Sequence, residues 1–166
     1  SGRNSGFMID LPHDISSNSY AGAVERDIRQ TMQNRYAIAF AAKTAKDYGF
    51  SHEVFNPCGK INGAASEKGD RHNREYVVHL NSMGEESTWL DASDMKRITG
   101  SDYYMSGLLT PKTVTIQAAA YVRGFAQGLS RSVNIYENSP VIAMKRADGI
   151  WKVNTPKGSV SAPKVI

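Results

Sequence analysis

Residues 1–11 read SGRNSGFMIDL, a turn-rich hexapeptide followed by a short apolar run. Two glycines of the hexapeptide flank its polar centre, residues 3–5, so the backbone there can approach a ligand closely. The amide N–H groups and the guanidinium of Arg3 suit an anionic group. An ordinary surface turn has the same composition, so the hexapeptide alone does not assign a function.

Apolar residues at helical spacing predict four helices in the chain. The first follows candidate N-caps at residues 16–19, carries apolar residues every four positions from Tyr20 to Phe40, and ends at Gly49. We predict that it is an amphipathic scaffold helix. Asp91 is the candidate N-cap of the third helix. The second, third and fourth helices are predicted at residues 71–83, 93–99 and 114–129.

Short extended segments lie between and after these helices. Their β-branched and aromatic residues, bounded by glycine and proline, are typical of strands. The segments are residues 54–55, 59–64, 103–109, 133–136, 141–144, 151–155 and 164–166. Hairpin turns are predicted at residues 147–149 and 156–158, and a polar turn at residues 84–88. The sequence therefore predicts an α+β fold.

Charge and cysteine content limit the possible function classes. The 20 basic and 16 acidic residues are scattered along the chain and give a net charge of +4, which argues against a nucleic-acid-binding face. The single cysteine, Cys58, allows no intrachain disulfide and fits a reducing cytoplasm. No apolar run approaches the roughly 20 residues that a membrane span needs. We predict a soluble, cytoplasmic protein without a membrane span.

Metal and nucleophile chemistry have little support in the sequence. The four histidines are far apart, and no cysteine or carboxylate lies at ligand spacing with them, so no metal site is predicted. His72 and His79 are interpreted as surface residues. Cys58 follows a proline and has no adjacent histidine, which favours a small buried residue over a nucleophile. The Gly-x-Ser-x-Gly elbow, the Walker loop and the Gly-x-Gly-x-x-Gly fingerprint are absent.

The hexapeptide at residues 1–6 resembles the Ser-Gly-Arg-Asn-Gly-Gly motif of the γ-glutamylputrescine oxidase branch of the D-amino-acid oxidase superfamily. The resemblance continues in the same order along the chain, and this order is more specific than any single block. It covers Cys58-Gly59 with residues 64–66, residues 100–104 with Gly107, residues 117–124 and the closing strands. Two positions depart from the family pattern: Ser5 stands where glycine is common, and Ala118 where proline is frequent.

This resemblance implies a fragment of a two-domain FAD-dependent flavoenzyme. Residues 1–15 would be the flavin-contacting segment of the FAD domain, residues 16–130 the mainly helical part with the substrate-side α/β domain, and residues 131–166 a short β-meander returning to the FAD domain. The N-terminal dinucleotide-binding βαβ unit and the C-terminal half would lie outside the chain. The turn-rich start and the strand-like end fit this expectation. The fragment alone is expected to bind FAD poorly and to be inactive.

The resemblance also assigns candidate site residues. The cofactor-side residues are Ser1, Gly2, Arg3, Asn4, Ser5, Gly6 and Val141. The backbone of Val141 is expected to pair with the adenine edge of FAD, and Val141 can also be a core strand residue. Tyr103, Tyr104 and Met105 are candidates for a substrate pocket, although an aromatic strand more often belongs to a core. No catalytic acid or base is assigned, because the cofactor carries the chemistry.

The function that the resemblance implies is oxidation of an amine or an amino-acid-like small molecule to an imine, by hydride transfer to flavin. An alternative is a non-catalytic binding module that retains the substrate-side fold. A non-flavin interaction domain is a third hypothesis, and it requires the order of the matching blocks to be a coincidence.

Overall fold

The computed structural model describes residues 4–12 and 24–166. Within these ranges it has four helices: α1 (Val24–Asp47), α2 (Glu67–Ser82), α3 (Ala92–Thr99) and α4 (Ala118–Leu129). It also has nine strands: β1 (Phe7–Met8), β2 (Phe55–Asn56), β3 (Lys60–Ala64), β4 (Thr88–Asp91), β5 (Ser106–Thr110), β6 (Val114–Ile116), β7 (Ala143–Ala147), β8 (Ile150–Thr155) and β9 (Gly158–Ala162). These separate helices and small antiparallel sheets confirm the predicted α+β class. The chain divides into two compact units, Ser1–Gly128 and Leu129–Ile166.

The first unit contains two three-stranded antiparallel sheets, with strand orders β1-β6-β2 and β3-β5-β4. The central strand β5 supplies Leu108, which is fully buried with Leu11, Tyr76 and Leu80 in one apolar cluster. Burial of side chains of this size contributes roughly 1.5–3 kcal/mol each. The hydroxyl of Tyr76 donates to the carbonyl of Pro12 at 3.0 Å. This core therefore joins α2 and the second sheet to the chain that leaves β1.

Capping residues set the ends of α2 and α3. The side chain of Ser66 accepts a hydrogen bond from the N–H of Gly69 at 3.3 Å, so α2 begins four residues before its predicted start. Asp91 caps α3 as predicted and forms a reciprocal capping box with Asp94. Gly100 closes α3 in the left-handed conformation, with a φ of 74°.

Helix α1 presents its apolar stripe to solvent. Ile28, Met32, Tyr36 and Phe40 form this α1 ridge, and they are 39%, 68%, 80% and 59% exposed. The buried face carries small and polar residues instead: Asp27, Thr31, Ala41, Thr44 and Ala45. An amphipathic helix of a globular protein normally buries its apolar side, whereas α1 exposes its apolar side and buries its small and polar one. The predicted caps at residues 16–19 lie outside the described residues.

Aromatic side chains pack α4 of the first unit against the end of α1. The hydroxyl of Tyr121 donates to the carbonyl of Ala41 at 3.0 Å. The ring of Phe50 meets that of Tyr121 edge to face, with 5.2 Å between centroids. Gly124 makes this packing possible, because a Cβ there would lie 2.6 Å from Cε1 of Phe50. A glycine inside a helix is therefore explained here by close packing.

Pairing with distant strands overrides local spacing in two places. Val114–Ile116, predicted as the start of the fourth helix, forms β6 and pairs with both β1 and β2. The helix itself begins only at Ala118. β4 lies where the sequence predicts a turn and a cap, and it pairs with β5 along its length. Strand pairing with residues far along the chain is invisible to local periodicity.

Three predicted strand segments are wrong at least in part. Residues 103–105 precede β5, which begins at Ser106. Residues 133–136 are not a strand, because the N–H groups of Ser132 and Val133 both donate to the carbonyl of Leu129 and form turns after α4. Residues 164–166 follow the edge strand β9 and are not in a strand themselves.

The second unit is a three-stranded antiparallel meander in the order β7-β8-β9. Asp148 and Gly149 join β7 to β8 with φ values of 49° and 79°, the pattern of a type I′ hairpin turn. The hydroxyl of Thr155 donates to the carbonyl of Gly158 at 3.0 Å across the second turn. Both predicted hairpins are thus confirmed, although β7 begins two residues later than predicted.

Candidate functional site

The turn before β1 is the described part of the predicted flavin-side segment. Ser1, Gly2 and Arg3 lie outside the described residues. Asn4 and Ser5 are exposed, and Gly6 is buried. The N–H of Gly6 donates to Oδ1 of Asn4 at 2.8 Å, and its carbonyl accepts from the N–H of Ile116 at 2.7 Å. The turn therefore carries exposed polar side chains, and a hydrogen bond from β6 holds its backbone at Gly6.

Gly6 has a conformation and a neighbour that other residues do not tolerate. Its φ is 78°, in the left-handed region that favours glycine. A Cβ at this position would lie 2.3 Å from the carbonyl oxygen of Ile116. Ser5, the position that departs from the family pattern, is exposed, so its hydroxymethyl group needs no space inside the unit.

A buried carboxylate lies immediately after β1. Asp10 is 0% exposed, and its Oδ2 accepts from Nε and Nη2 of Arg35 at 3.1 and 2.9 Å. Its Oδ1 accepts from the hydroxyl of Thr113 at 3.3 Å. The same guanidinium donates to Glu85 at 2.7 and 2.5 Å. Arg35 thus joins two carboxylates, one after β1 and one after α2.

Neighbouring groups and burial shift the pKa values of Glu85, Arg35 and Lys60. The hydrogen bond from Arg35 is the main reason why the pKa of Glu85 is below its ordinary value, and partial burial opposes the shift. The hydrogen bond to Glu85 likewise raises the pKa of Arg35. Burial lowers the pKa of the nearby Lys60 ammonium, and the negative charge of Asp10 opposes that shift. Arg35 and Glu85 therefore stay ionised as a pair at neutral pH.

Sequence reasoning did not single out Asp10 or Arg35. Asp10 offered one signal, an acidic residue inside the apolar run before Pro12. Arg35 lies 25 residues further along and gives no local sign of its partner. The pair cannot be predicted from the sequence, because it depends on the packing of α1 beside the end of β1.

A shallow groove of about 490 Å³ runs beside β1 in the first unit. Phe7, Ile9, Ile61 and Leu109 make it largely apolar, and Lys60 contributes a cationic side chain. Cys58 also lines it, with its Sγ 3.5 Å from the hydroxyl of Thr115. Cys58 is exposed, so its interpretation as a small buried residue is wrong.

The three candidate pocket residues lie just before β5. Tyr103 and Met105 are 69% and 47% exposed. The rings of Tyr103 and Tyr104 meet edge to face with 5.2 Å between centroids. Tyr104 packs on Gly63, where a Cβ would be 2.8 Å from its ring atoms, and the N–H of Met105 donates to the carbonyl of Ala64 at 2.8 Å. The structure thus brings all three to the ends of β3 and β5, and their role in a pocket stays a prediction.

Val141 lies in a separate cleft of about 340 Å³, entirely within the second unit. It precedes β7, so its backbone groups lie outside the ladder that joins β7 to β8, while the next N–H, of Ile142, donates to the carbonyl of Asn154 at 2.9 Å. Val141 is 55% exposed. Its cleft neighbours include the apolar Val153 and Val160 and the polar Ser139, Thr155 and Lys157. Both apolar and polar side chains therefore line this cleft.

The described residues contain no group of three or more metal-binding side chains close enough to hold an ion. His79, predicted to be a surface residue, is 4% exposed and bonded to Asp27 at 2.9 Å, so that prediction is wrong. The pair joins α2 to the polar face of α1. None of the helices in the described ranges has the length and apolar character to span a membrane.

A protein-family model covers the whole chain. The model described as DAO, FAD dependent oxidoreductase, matches residues 1–166. A curated relative, the probable oxidoreductase OrdL of Haemophilus influenzae, is 32% identical over 93 residues, which is 55% of this chain and 22% of the relative.

Solved structures with the same fold include a glycine oxidase from Geobacillus kaustophilus and an L-amino acid deaminase from Proteus myxofaciens. The glycine oxidase matches 96% of this chain with a TM-score of 0.68 and 15% identity. The deaminase matches 95% of it with a TM-score of 0.67 and 14% identity. The chain spans 42% and 34% of these two structures, less than half of either.

Proposed function

We propose, from the premise that this chain belongs to the DAO family of FAD-dependent oxidoreductases, that it is part of an enzyme that oxidises an amine or amino-acid-like substrate. The observation that carries this proposal is the match of the family model to all 166 residues. The neighbours named as a glycine oxidase and an L-amino acid deaminase support a substrate with an amine group.

The cofactor of this family is FAD, and two separate features of the chain fit parts of it. The turn at Asn4 and Ser5 leaves polar groups exposed on a fixed backbone, as a flavin-side segment requires. The cleft at Val141 offers apolar walls and backbone groups outside the β7–β8 ladder, as an adenine site requires. When bound there, FAD would supply the hydride acceptor for oxidation of the carbon beside the substrate amine to an imine, and the residues of this chain would bind and orient the two molecules.

The domain roles follow from the same proposal. Residues 1–15 belong to the FAD domain and contact the flavin, residues 16–130 include the substrate-side domain, and residues 131–166 return to the FAD domain. Tyr103, Tyr104 and Met105 are proposed to line the substrate pocket, where their side chains would exclude water from the reacting carbon. The single cysteine supports a cytoplasmic location.

Within the family, we infer the γ-glutamylputrescine oxidase-like branch. The hexapeptide at residues 1–6 and the order of the later blocks support this branch. A substrate of this class would carry a primary or secondary amine on an extended chain.

The test is the visible absorbance spectrum of the full-length gene product, recorded without oxygen before and after addition of single amines. The panel contains glycine, L-proline, putrescine and γ-glutamylputrescine. Flavin bands that bleach with an amine are expected, and bleaching by γ-glutamylputrescine alone would support the proposed branch. A colourless protein that takes up no added FAD would contradict the proposal and favour a non-catalytic binding module.

A further inference from the structure

Asp10 is buried four residues after the flavin-side turn, and side chains from α1 and from the residue before β6 bond to it. Its carboxylate receives two hydrogen bonds from Arg35 on α1 and one from Thr113, the residue before β6. Its backbone carbonyl accepts from the side-chain amide of Asn34 at 3.0 Å. Arg35 is in turn fixed by Glu85, which follows α2.

The link from Asp10 to the turn is short and continuous. Four successive contacts join the two chain segments: Gly6 with Ile116, Phe7 with Thr115, Met8 with Val114, and Asp10 with Thr113. The turn is thus one end of a two-strand ladder, and the other end is anchored by the Asp10 carboxylate. A shift of Asp10 would be passed to Gly6 through the paired backbones.

Stability alone does not explain a charge at this position. Burial of a carboxylate is costly, and well-packed apolar residues often replace a buried ion pair without loss of stability. The pair does impose geometry, because two N–H groups of the planar guanidinium converge on Oδ2 while the hydroxyl of Thr113 bonds to Oδ1. The pair is therefore suited to hold an element in one place.

We propose that Asp10, clamped by Arg35, is a positioning residue that fixes the Asn4–Gly6 turn against the flavin. This inference rests on the proposed function, since it needs FAD at that turn. Asp10 itself touches no cofactor in this proposal. It acts through the β1–β6 ladder.

The test compares Asp10→Asn with a matched control, Asp27→Asn, in the full-length protein. Asp27 is also buried, at 4% exposure, but its carboxylate bonds to His79 and Arg26 and not to the β1–β6 ladder. Three quantities are measured for each variant: the thermal midpoint, the FAD dissociation constant and the position of the flavin absorbance bands. Both variants are expected to lower the thermal midpoint, because each weakens a buried charged hydrogen bond.

Of Asp10→Asn and Asp27→Asn, only Asp10→Asn is expected to weaken FAD binding, by about tenfold, the equivalent of one charge-assisted hydrogen bond, and to shift the flavin bands. Arg35→Lys is the second variant; it keeps the charge, loses the forked geometry, and is expected to shift the bands in the same direction. Arg35→Lys also decides the question if Asp10→Asn does not fold.

Two results would overturn the positioning role. One is unchanged FAD affinity and unchanged bands in the variants at Asp10 and Arg35. The other is an equal loss of FAD affinity in Asp27→Asn, which would mean a general effect of destabilisation. A wild-type protein that binds no FAD is a distinct result that removes the proposed function itself, and the positioning role with it.

Discussion

Position 6 of the candidate site requires glycine. Its φ of 78° and the carbonyl oxygen of Ile116 together exclude a side chain. The ladder with β6 depends on this exclusion, because the same carbonyl that would meet a Cβ belongs to the residue whose N–H bonds to Gly6.

Gly6→Ala is expected to destabilise the chain by roughly 2 kcal/mol more than Gly49→Ala, because only Gly6 lacks room for a methyl group. Both positions have positive φ, which costs an alanine about 1 kcal/mol. A methyl group at Gly49 would have no neighbour within 4 Å, whereas one at Gly6 would meet the Ile116 carbonyl. Urea unfolding followed by circular dichroism measures the difference. Equal losses in the two variants would show that the carbonyl contact is relieved without cost.

Glu85 gives the clearest pH dependence. Because its pKa in the folded chain is below the ordinary value of 4.5, its bond to Arg35 stabilises the fold fully above pH 4.5 and is lost as pH falls through the folded pKa. Glu85→Gln is expected to cost about 1 kcal/mol at neutral pH, a value reduced because Arg35 is partly exposed. The gap between wild type and variant should close as the pH falls below the folded pKa. A gap that stays constant throughout an acid titration would contradict this assignment.

At this scale the sequence predicted the glycine-flanked turn but not its anchor. The turn could be predicted because glycine is the residue that most readily adopts the positive φ and the close backbone approach of a tight turn. The partners of Asp10 lie 25 and 103 residues away, at Arg35 and Thr113. Side-chain pairs at such separations depend on the packing of whole elements, and no local pattern specifies them.

Among the elements, α1 departs furthest from the usual arrangement. Its buried side is fixed by polar pairs, Asp27 with His79 and Arg35 with Asp10, while the α1 ridge stays in solvent. Exposed apolar rows of this length are uncommon on soluble domains.

The double variant Tyr36→Glu with Phe40→Glu is expected to leave stability within about 0.5 kcal/mol of wild type, because both rings are exposed. It should also reduce the fluorescence of the apolar dye ANS bound to the isolated chain. Ala41→Glu, on the buried face of the same helix, is the control and should destabilise by several kcal/mol, since it buries an unpaired charge. Unfolding of the double variant would mean that the α1 ridge is part of a core.

Element prediction succeeded where the signal is local and failed where it is not. Asp91 marks the start of α3 through its own side chain, so the predicted start of α3 differs from the observed one by a single residue. The three residues of β6 have the spacing of a helix and become a strand because β1 and β2 lie on either side. The apolar stripe of α1 was predicted correctly. Its exposure to solvent could not be predicted, because it depends on the bonds that the opposite face makes to His79 and Asp10.

For the whole molecule, the two units differ in how much they bury. The first has a core around Tyr76 and Leu108. All residues from 129 to 166 are described, and none of them is buried. A three-stranded sheet without a buried face lacks the apolar burial that offsets the loss of chain entropy.

A peptide of residues 129–166 is therefore expected to be unfolded in water. Circular dichroism should show no strand minimum, and its amide proton resonances should be poorly dispersed. A dispersed spectrum with a cooperative thermal transition would contradict this expectation and would mean that the meander is stable without further polypeptide.

Cys58 has a practical consequence for following the chain in solution. It is the one cysteine of the sequence and is exposed, so a spin label or fluorophore can be attached at this position alone. It touches Thr115, whose strand neighbour Ile116 bonds to Gly6. A probe attached there would lie close to the strand that bonds to Gly6, and its spectrum would report changes in the packing of that strand against the turn.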